Sequence, residues 1–229
     1  RDFPEQGMTL RRPDTLRAWM RAYAAATSTT ASFETIRDAA TPGMGNKPAV
    51  STTLPWRDIL TRLWILDPLP AWLPSTNRLK ELAASDKHHL VDPALAARLL
   101  QVTSRELLGG GPTEPPIPRD DTFLGALFES LVALNLRVYA QAAEADVRHL
   151  RTQRGEREID FIVIGPDGGI LAIEVKLSAT VDAGDTKHLT WLKDRIGDQL
   201  LDAVVVTTGT EAYRRDDGIA VVPAALLGP

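Results

Sequence analysis

The sequence predicts an α+β chain in two parts: a helical N-terminal half, and a C-terminal α/β half built on a mixed central sheet. Three observations predict it. Apolar residues recur at helical spacing over residues 15–26 and 59–64. Two aliphatic runs, 159–164 and 170–177, flank the turn-forming Gly165-Pro166-Asp167-Gly168-Gly169. Between the halves, the run from Gly109-Gly110-Gly111-Pro112 to Pro118 suits neither helix nor strand. The expected division is therefore 1–108, a Gly/Pro-rich linker over 109–118, and 119–229.

In the N-terminal part, a first helix over 15–26 places Leu16, Trp19, Met20 and Tyr23 on one face. Ser32 caps a shorter second helix over 32–38. A polar, glycine-containing loop then leads to Val50-Ser51-Thr52-Thr53 and a third helix, with Ile59, Leu60, Leu63 and Trp64 on one side. The prolines at 68 and 70 are expected to stop it. Three helices followed by an extended 69–73 segment suggest a winged helix. Such a domain reads DNA by setting its third helix in the major groove, which puts Lys47, Ser51, Thr52, Thr53 and Arg57 near nucleic acid. The same domain also serves as a protein contact module, with Trp56 and Trp64 as packing residues.

The C-terminal part opens with a helix over 123–136, for which Asp120 or Asp121 is the expected N-cap. Its apolar positions cover nearly the whole circumference, so Glu129 sits inside a largely buried helix. The two aliphatic runs pair as a hairpin. Residues 183–197 form an amphipathic helix with Leu189, Leu192 and Ile196 inward, Lys187, Lys193 and Arg195 solvated, and Gly197 at its end. Short strands follow at 203–208 and 219–222, and strand, helix and strand of this length make a right-handed parallel crossover.

The chemistry concentrates in the hairpin, at Glu158-Ile159-Asp160-Phe161 and Ile173-Glu174-Val175-Lys176. Side chains two apart on a strand share a face, so Glu174 and Lys176 point the same way, and the hairpin neighbour brings Asp160 beside them. Two carboxylates there repel and are costly to desolvate unless a cation lies between them. A divalent metal relieves that cost, since Mg²⁺ takes one or two carboxylates, keeps its waters and holds a phosphate oxygen. An ammonium at Lys176 then stabilises charge on a pentacoordinate phosphate or positions the attacking water. Asp160, thirteen residues and then Glu174-x-Lys176 is the spacing of the PD-(D/E)XK nuclease-like core, a restriction-endonuclease-like α/β fold. The plain alternative is an ion pair at a strand end, with Asp160 capping a turn.

Residues from about 120 onward resemble the nuclease-like C-terminal region of a prokaryotic family in which an AAA-type ATPase domain precedes a domain of unknown function. The landmarks are Gly125-Ala126-Leu127-Phe128-Glu129, Arg157-Glu158-Ile159-Asp160-Phe161, Ala172-Ile173-Glu174-Val175-Lys176 and Val204-Val205-Val206-Thr207-Thr208-Gly209. Asp67-Pro68-Leu69-Pro70-Ala71-Trp72 and His89-Leu90-Val91-Asp92-Pro93-Ala94-Leu95 are similar to the family's middle segment, and the resemblance also favours the winged helix. It implies that Asp160 and Glu174 bind Mg²⁺ or Mn²⁺, that Lys176 assists catalysis, and that Glu129 is an additional ligand. The implied activity is Mg²⁺-dependent phosphodiester hydrolysis; the alternative is a non-catalytic DNA-binding or regulatory module with the same fold. The family's ATPase domain would be the partner on the N-terminal side, and a chain beginning at Arg1 is expected to be a processed product or part of something longer. ATP would act only through that domain. Gly43-Met44-Gly45-Asn46-Lys47 is too short for a P-loop, and Pro48 stands where a hydroxyl is needed.

Composition sets the outer limits. At 229 residues and 44% hydrophobic content the chain supports a real core, in one large domain or two small ones. With no cysteine there is no disulfide, thiol nucleophile or thiolate zinc site, which fits a cytoplasmic protein. No apolar run approaches the roughly 18 residues of a membrane helix, so no membrane partner is expected. Residues 1–118 carry 14 Lys plus Arg against 12 Asp plus Glu, a balance of +2; residues 119–229 carry 12 against 18, a balance of −6. Neither half is the basic body of a protein held on DNA by charge alone. A local run, Arg148, Arg151, Arg154 and Arg157, either follows a phosphate backbone toward the hairpin or is simply solvated. His88, His89, His149 and His188 lack metal-ligand spacing and read as core or surface residues.

Overall fold

A computed structural model describes residues 13–41, 47–75, 77–108, 122–152 and 155–228. The N-terminal half opens with helices α1 (Pro13–Ala25), α2 (Phe33–Ala39) and α3 (Val50–Arg62). Helix α1 starts on Pro13, whose missing N–H costs a first helical turn nothing. It buries Leu16, Trp19 and Tyr23. Trp19 meets Trp56 of α3 edge-on, ring centres 6.2 Å apart. Ser32 caps α2 by accepting the Thr35 N–H at 3.1 Å. Helices α4 (Arg78–Leu82), α5 (Pro93–Leu100) and α6 (Ser104–Leu107) complete this half.

Helix α3 ends at Arg62, short of the expected 63–64 face. Trp64 lies outside it with φ of 57° and is 75% exposed. The left-handed residue turns the chain back, so that the N–H groups of Ile65 and Leu66 both reach the Leu60 carbonyl, at 2.9 and 3.2 Å. Apolar spacing thus continues in the sequence past a stop that the backbone makes without glycine. The chain then runs extended. Leu66 pairs with Leu90 and Leu69 with Lys87, both antiparallel, while His88 pairs with Thr29 on its other side. At Ala71 the same segment forms a parallel bridge to His149, so the N-terminal half reaches the outer edge of the C-terminal sheet.

Helix α7 (Phe123–Ala142) is capped by Thr122, whose Oγ1 accepts the Gly125 N–H at 3.3 Å, in place of the expected aspartates; Asp120 and Asp121 lie outside the described residues, as does the 109–118 linker. It runs on past Leu136 and, by length and composition, is apolar enough to cross a membrane. This corrects the expectation that no apolar run approaches that length: Glu129, Asn135 and Arg137 interrupt the segment but leave it apolar on average. In the fold this helix packs on the sheet and pairs Glu129 and Arg137 internally.

Six strands follow among the described residues: β1 (Asp146–Arg151), β2 (Glu158–Ile164), β3 (Ile170–Lys176), β4 (Leu200–Thr207), β5 (Tyr213–Arg214) and β6 (Ala220–Pro223), with helix α8 (Ala183–Ile196) between β3 and β4. The sheet order is β1-β2-β3-β4-β6-β5. Strands β1, β2 and β3 are antiparallel; β3, β4 and β6 are parallel. The β2–β3 turn closes through the Gly165 N–H on the Gly169 carbonyl at 2.9 Å, with Gly168 at φ 84°, where a Cβ would be strained. Strand β5 was not expected from sequence; two residues carry no period.

Helices cover both faces. On one, α7 buries Val132, Ala133, Leu136 and Ala140 against Val147, Phe161, Ile173, Val175 and Val206. On the other, α8 buries Leu189 and Leu192 against Ile159, Ile162, Ala172 and Val205. Leu69 joins the first core and Trp72 the second, while Leu127 and Phe123 of α7 pack into the N-terminal core.

Candidate functional site

The site is built by a fault in the β1–β2 ladder. Arg148 pairs with Ile162 but Leu150 with Ile159, so His149 alone faces both Asp160 and Phe161. Such a bulge re-aims side chains: Ile159 and Ile162 join the α8 core, Phe161 joins the α7 core, and Asp160 reaches toward α7. The β2–β3 pairing ends at Phe161 and Ile173. Beyond it the Val175 N–H donates to Oδ2 of Asp160 at 3.0 Å, a carboxylate oxygen standing in for a strand carbonyl. Glu174, only 7% exposed, is close enough to the same carboxyl group for the Asp160 charge to act on it.

The cation of this cluster is Lys87. Its Nζ lies 3.0 Å from Oε1 of Glu129, 3.1 Å from Oδ1 of Asp160 and 3.3 Å from Oε1 of Glu158. Its residue exposure is 1%, and an ammonium has three N–H donors for three carboxylates. The backbone of Lys87 is pinned by both hydrogen bonds to Leu69, at 2.8 and 2.9 Å. Glu158 turns its other oxygen to Arg151 at 2.7 Å.

Charges settle accordingly. Burial alone would lower the Lys87 pKa, but Glu129, Asp160 and Glu158 outweigh it and hold the ammonium charged. Burial would raise Asp160, but Lys87 and the Val175 N–H outweigh it and keep this carboxylate ionised. Glu174 is driven well above the usual carboxylate range by burial and then by Asp160. Glu129 is pushed up to about 8 by burial and the Asp160 charge, against the pull of Lys87. A proton on Glu129 and a charge on Lys87 are compatible, because Asp160 and Glu158 still face the ammonium. Lys176 acts electrostatically on both Asp160 and Glu174.

Of the four residues marked by sequence, Glu129 and Asp160 meet through Lys87, while Glu174 and Lys176 act on Asp160 electrostatically. Sequence reasoning missed Lys87 and Glu158. Lys87 sits in the polar stretch Ser85-Asp86-Lys87-His88-His89, which reads as exposed loop. The available signal was the surplus of buried acid, assigned to a metal. Among the described residues no group of three His, Asp or Glu side chains is disposed to hold a metal ion as it stands. Asp160 and Glu174 offer carboxyl oxygens, the donor type that a hard cation takes alongside water.

The residues expected near nucleic acid are scattered in their engagements. Ser51 and Thr52 are exposed. Thr53 is buried, and its hydroxyl donates to the Val50 carbonyl at 3.3 Å, so the surface expected of it passes to its neighbours. Lys47 pairs with Glu34 and Asp38. The Arg57 guanidinium lies 3.3 Å over the Phe33 ring. Arg148 pairs with Asp146 and Glu81, Arg151 with Glu158, and Arg157 lies 5.6 Å from the Trp191 ring; Arg154 lies outside the described residues.

The histidines are buried or partly buried. His88 bonds the Ala31 carbonyl at 2.7 Å and packs edge-on against Tyr23 and Phe33. His149 bonds the Ser85 carbonyl at 3.0 Å. His188 bonds the Glu158 carbonyl at 2.6 Å, with Glu174 at 3.9 Å. His89 has no hydrogen bond at either ring nitrogen and stands 4.0 Å from Glu129.

A mixed sheet between α7 and α8, with a buried acidic cluster at one end, defines a mixed α+β protein with a polar site between its halves. Residues 124–227 match the model of a family described as a domain of unknown function, DUF4143. Residues 1–106 match a second domain of unknown function, DUF8612. No curated protein matches the chain. One solved structure, a half-complex from a tetradecameric assembly of Thermococcus gammatolerans McrB AAA+ hexamers with bound McrC, is similar at 11% identity over 92% of this chain and 70% of that one. Its TM-score is 0.29, too loose a superposition to bear on fold or partner.

Proposed function

We propose that this chain is the accessory module of an AAA-type ATPase and that its C-terminal half carries a PD-(D/E)XK-type site for Mg²⁺- or Mn²⁺-dependent hydrolysis of nucleic-acid phosphodiesters. The observation that carries this reading is the buried Asp160 carboxylate on the Val175 N–H, between Glu174 and Lys176 of β3, at the point where the hairpin ladder opens. Asp160 and Glu174 would hold the metal, which when bound supplies Lewis-acid polarisation of the phosphate. The Val175 N–H orients Asp160 toward that role. Lys176, close enough to bias both acids, would stabilise charge on the phosphate under attack. A cation between the pair would favour the ionised form of Glu174. The N-terminal helices would approach the substrate as a winged helix through Ser51, Thr52 and Arg57. The resemblance of residues from about 120 onward to a family with a preceding AAA-type ATPase domain supports the ATPase association.

The test is cleavage of single- and double-stranded DNA and RNA with Mn²⁺ or Mg²⁺. Asp160→Asn, which still accepts the Val175 N–H, and Lys176→Ala are expected to abolish it while circular dichroism is unchanged. Equal residual cleavage in both variants rejects the assignment.

One observation favours a second reading. With Lys87 among its carboxylates, the cluster also works as an internal ion-pair lock fastening the N-terminal half to the sheet, in a module that binds nucleic acid or a partner without chemistry. In that case EDTA-resistant nucleic-acid binding survives both substitutions and weakens steeply with salt.

A further inference from the structure

We propose that Lys87 is a built-in counter-cation that competes with a divalent metal for the Asp160 carboxylate, so that loading the site with metal and releasing the Lys87 ammonium are one event. This rests on the metal-binding reading of Asp160 and Glu174. Both oxygens of Asp160 are already engaged, Oδ1 by Lys87 at 3.1 Å and Oδ2 by the Val175 N–H at 3.0 Å. A Mg²⁺ ion would sit roughly 2.0–2.1 Å from its carboxylate oxygen. An ammonium hydrogen-bonded to that carboxylate would then face a double positive charge a few ångströms away, in surroundings that screen it poorly.

The two cations therefore exclude each other. Which one leaves is limited by the backbone: Lys87 is pinned to Leu69 through both main-chain groups, so only its side chain can swing out. The device is a monovalent cation from one half of the chain holding shut an acidic site on the other. Nothing exposed is needed for it to act, since Lys87 is 1% exposed.

The experiment is calorimetric titration of the 229-residue chain with Mn²⁺ alone, wild type against Lys87→Met, with thermal unfolding of each in EDTA and in Mn²⁺. Lys87→Met is expected to bind Mn²⁺ at least tenfold more tightly. Its unfolding midpoint is expected to rise with Mn²⁺ far more than that of the wild type. Equal affinities overturn the competition while leaving the metal reading intact. Tighter binding by the wild type overturns it too, and makes Lys87 an aid to the metal. Binding by neither folded protein removes the metal reading and the competition with it. Lys87→Gln, which keeps donors without the charge, is the second variant. Should neither variant fold in EDTA, recovery of folding on adding Mn²⁺ supports the competition, and no recovery overturns it.

Discussion

The ammonium of Lys87 and the carboxylate of Asp160, 73 residues apart in sequence, meet at 3.1 Å in the interior. Its removal takes away the strongest of the charges that hold the buried Asp160 carboxylate ionised. Breaking a buried pair from one side costs about 3–5 kcal/mol.

Lys87→Met, measured without metal, is therefore expected to lower unfolding free energy by about that amount in urea. Asp160→Asn in the same background removes the stranded charge and recovers part of the loss. Strict additivity of the two substitutions would mean that they do not share a network.

A second expectation concerns acid. The His149 pKa is held down to about 4, by burial first and then by Lys87, against an ordinary value of 6.5. Above pH 6.5 both folded and unfolded states carry it neutral, and stability is unaffected. As pH falls from 6.5 to 4 only the unfolded state takes up the proton, so stability declines. Below 4 the folded state protonates too and the loss stops growing. The full difference is about 3 kcal/mol at 1.36 kcal/mol per unit. His88 and His89 are also lowered, and add in the same direction. Urea midpoints at pH 7, 5.5 and 4 check this, and His149→Gln should flatten the decline.

Trp64 offers a third. A bulky side chain at φ 57° costs about 1–2 kcal/mol in left-handed strain, and at 75% exposure it returns little packing. Trp64→Gly is expected to leave thermal stability unchanged or raise it by up to about 1 kcal/mol. A loss larger than that would mean the indole is packed.

Much of the C-terminal half was legible in the sequence because its elements are long and periodic or bounded by glycine. The hairpin, α8 and its Gly197 stop, and β4 all carry such marks. The gathering of Asp160, Glu174 and Lys176 followed from strand alternation plus a turn, although the bulge opposite His149 that aims Asp160 has no sequence mark. The end of α3 was misjudged because Trp64 supplies a left-handed turn usually left to glycine. Lys87 was invisible for a different reason: its meaning lies in partners 42 and 73 residues away, which no local pattern encodes.

The stretch through Pro70 and Trp72 borders β1, the Trp72 N–H bonding the His149 carbonyl at 2.7 Å and the His149 N–H bonding the Pro70 carbonyl at 3.0 Å. Strand β1 is thereby shielded from pairing with another molecule along part of its free edge. Leu69 and Trp72 also plug the two cores on either side of the sheet. A fragment starting at Thr122 would bare that edge and both sockets together, making it prone to self-association. The first half of the chain thus covers an edge and two core openings of the second.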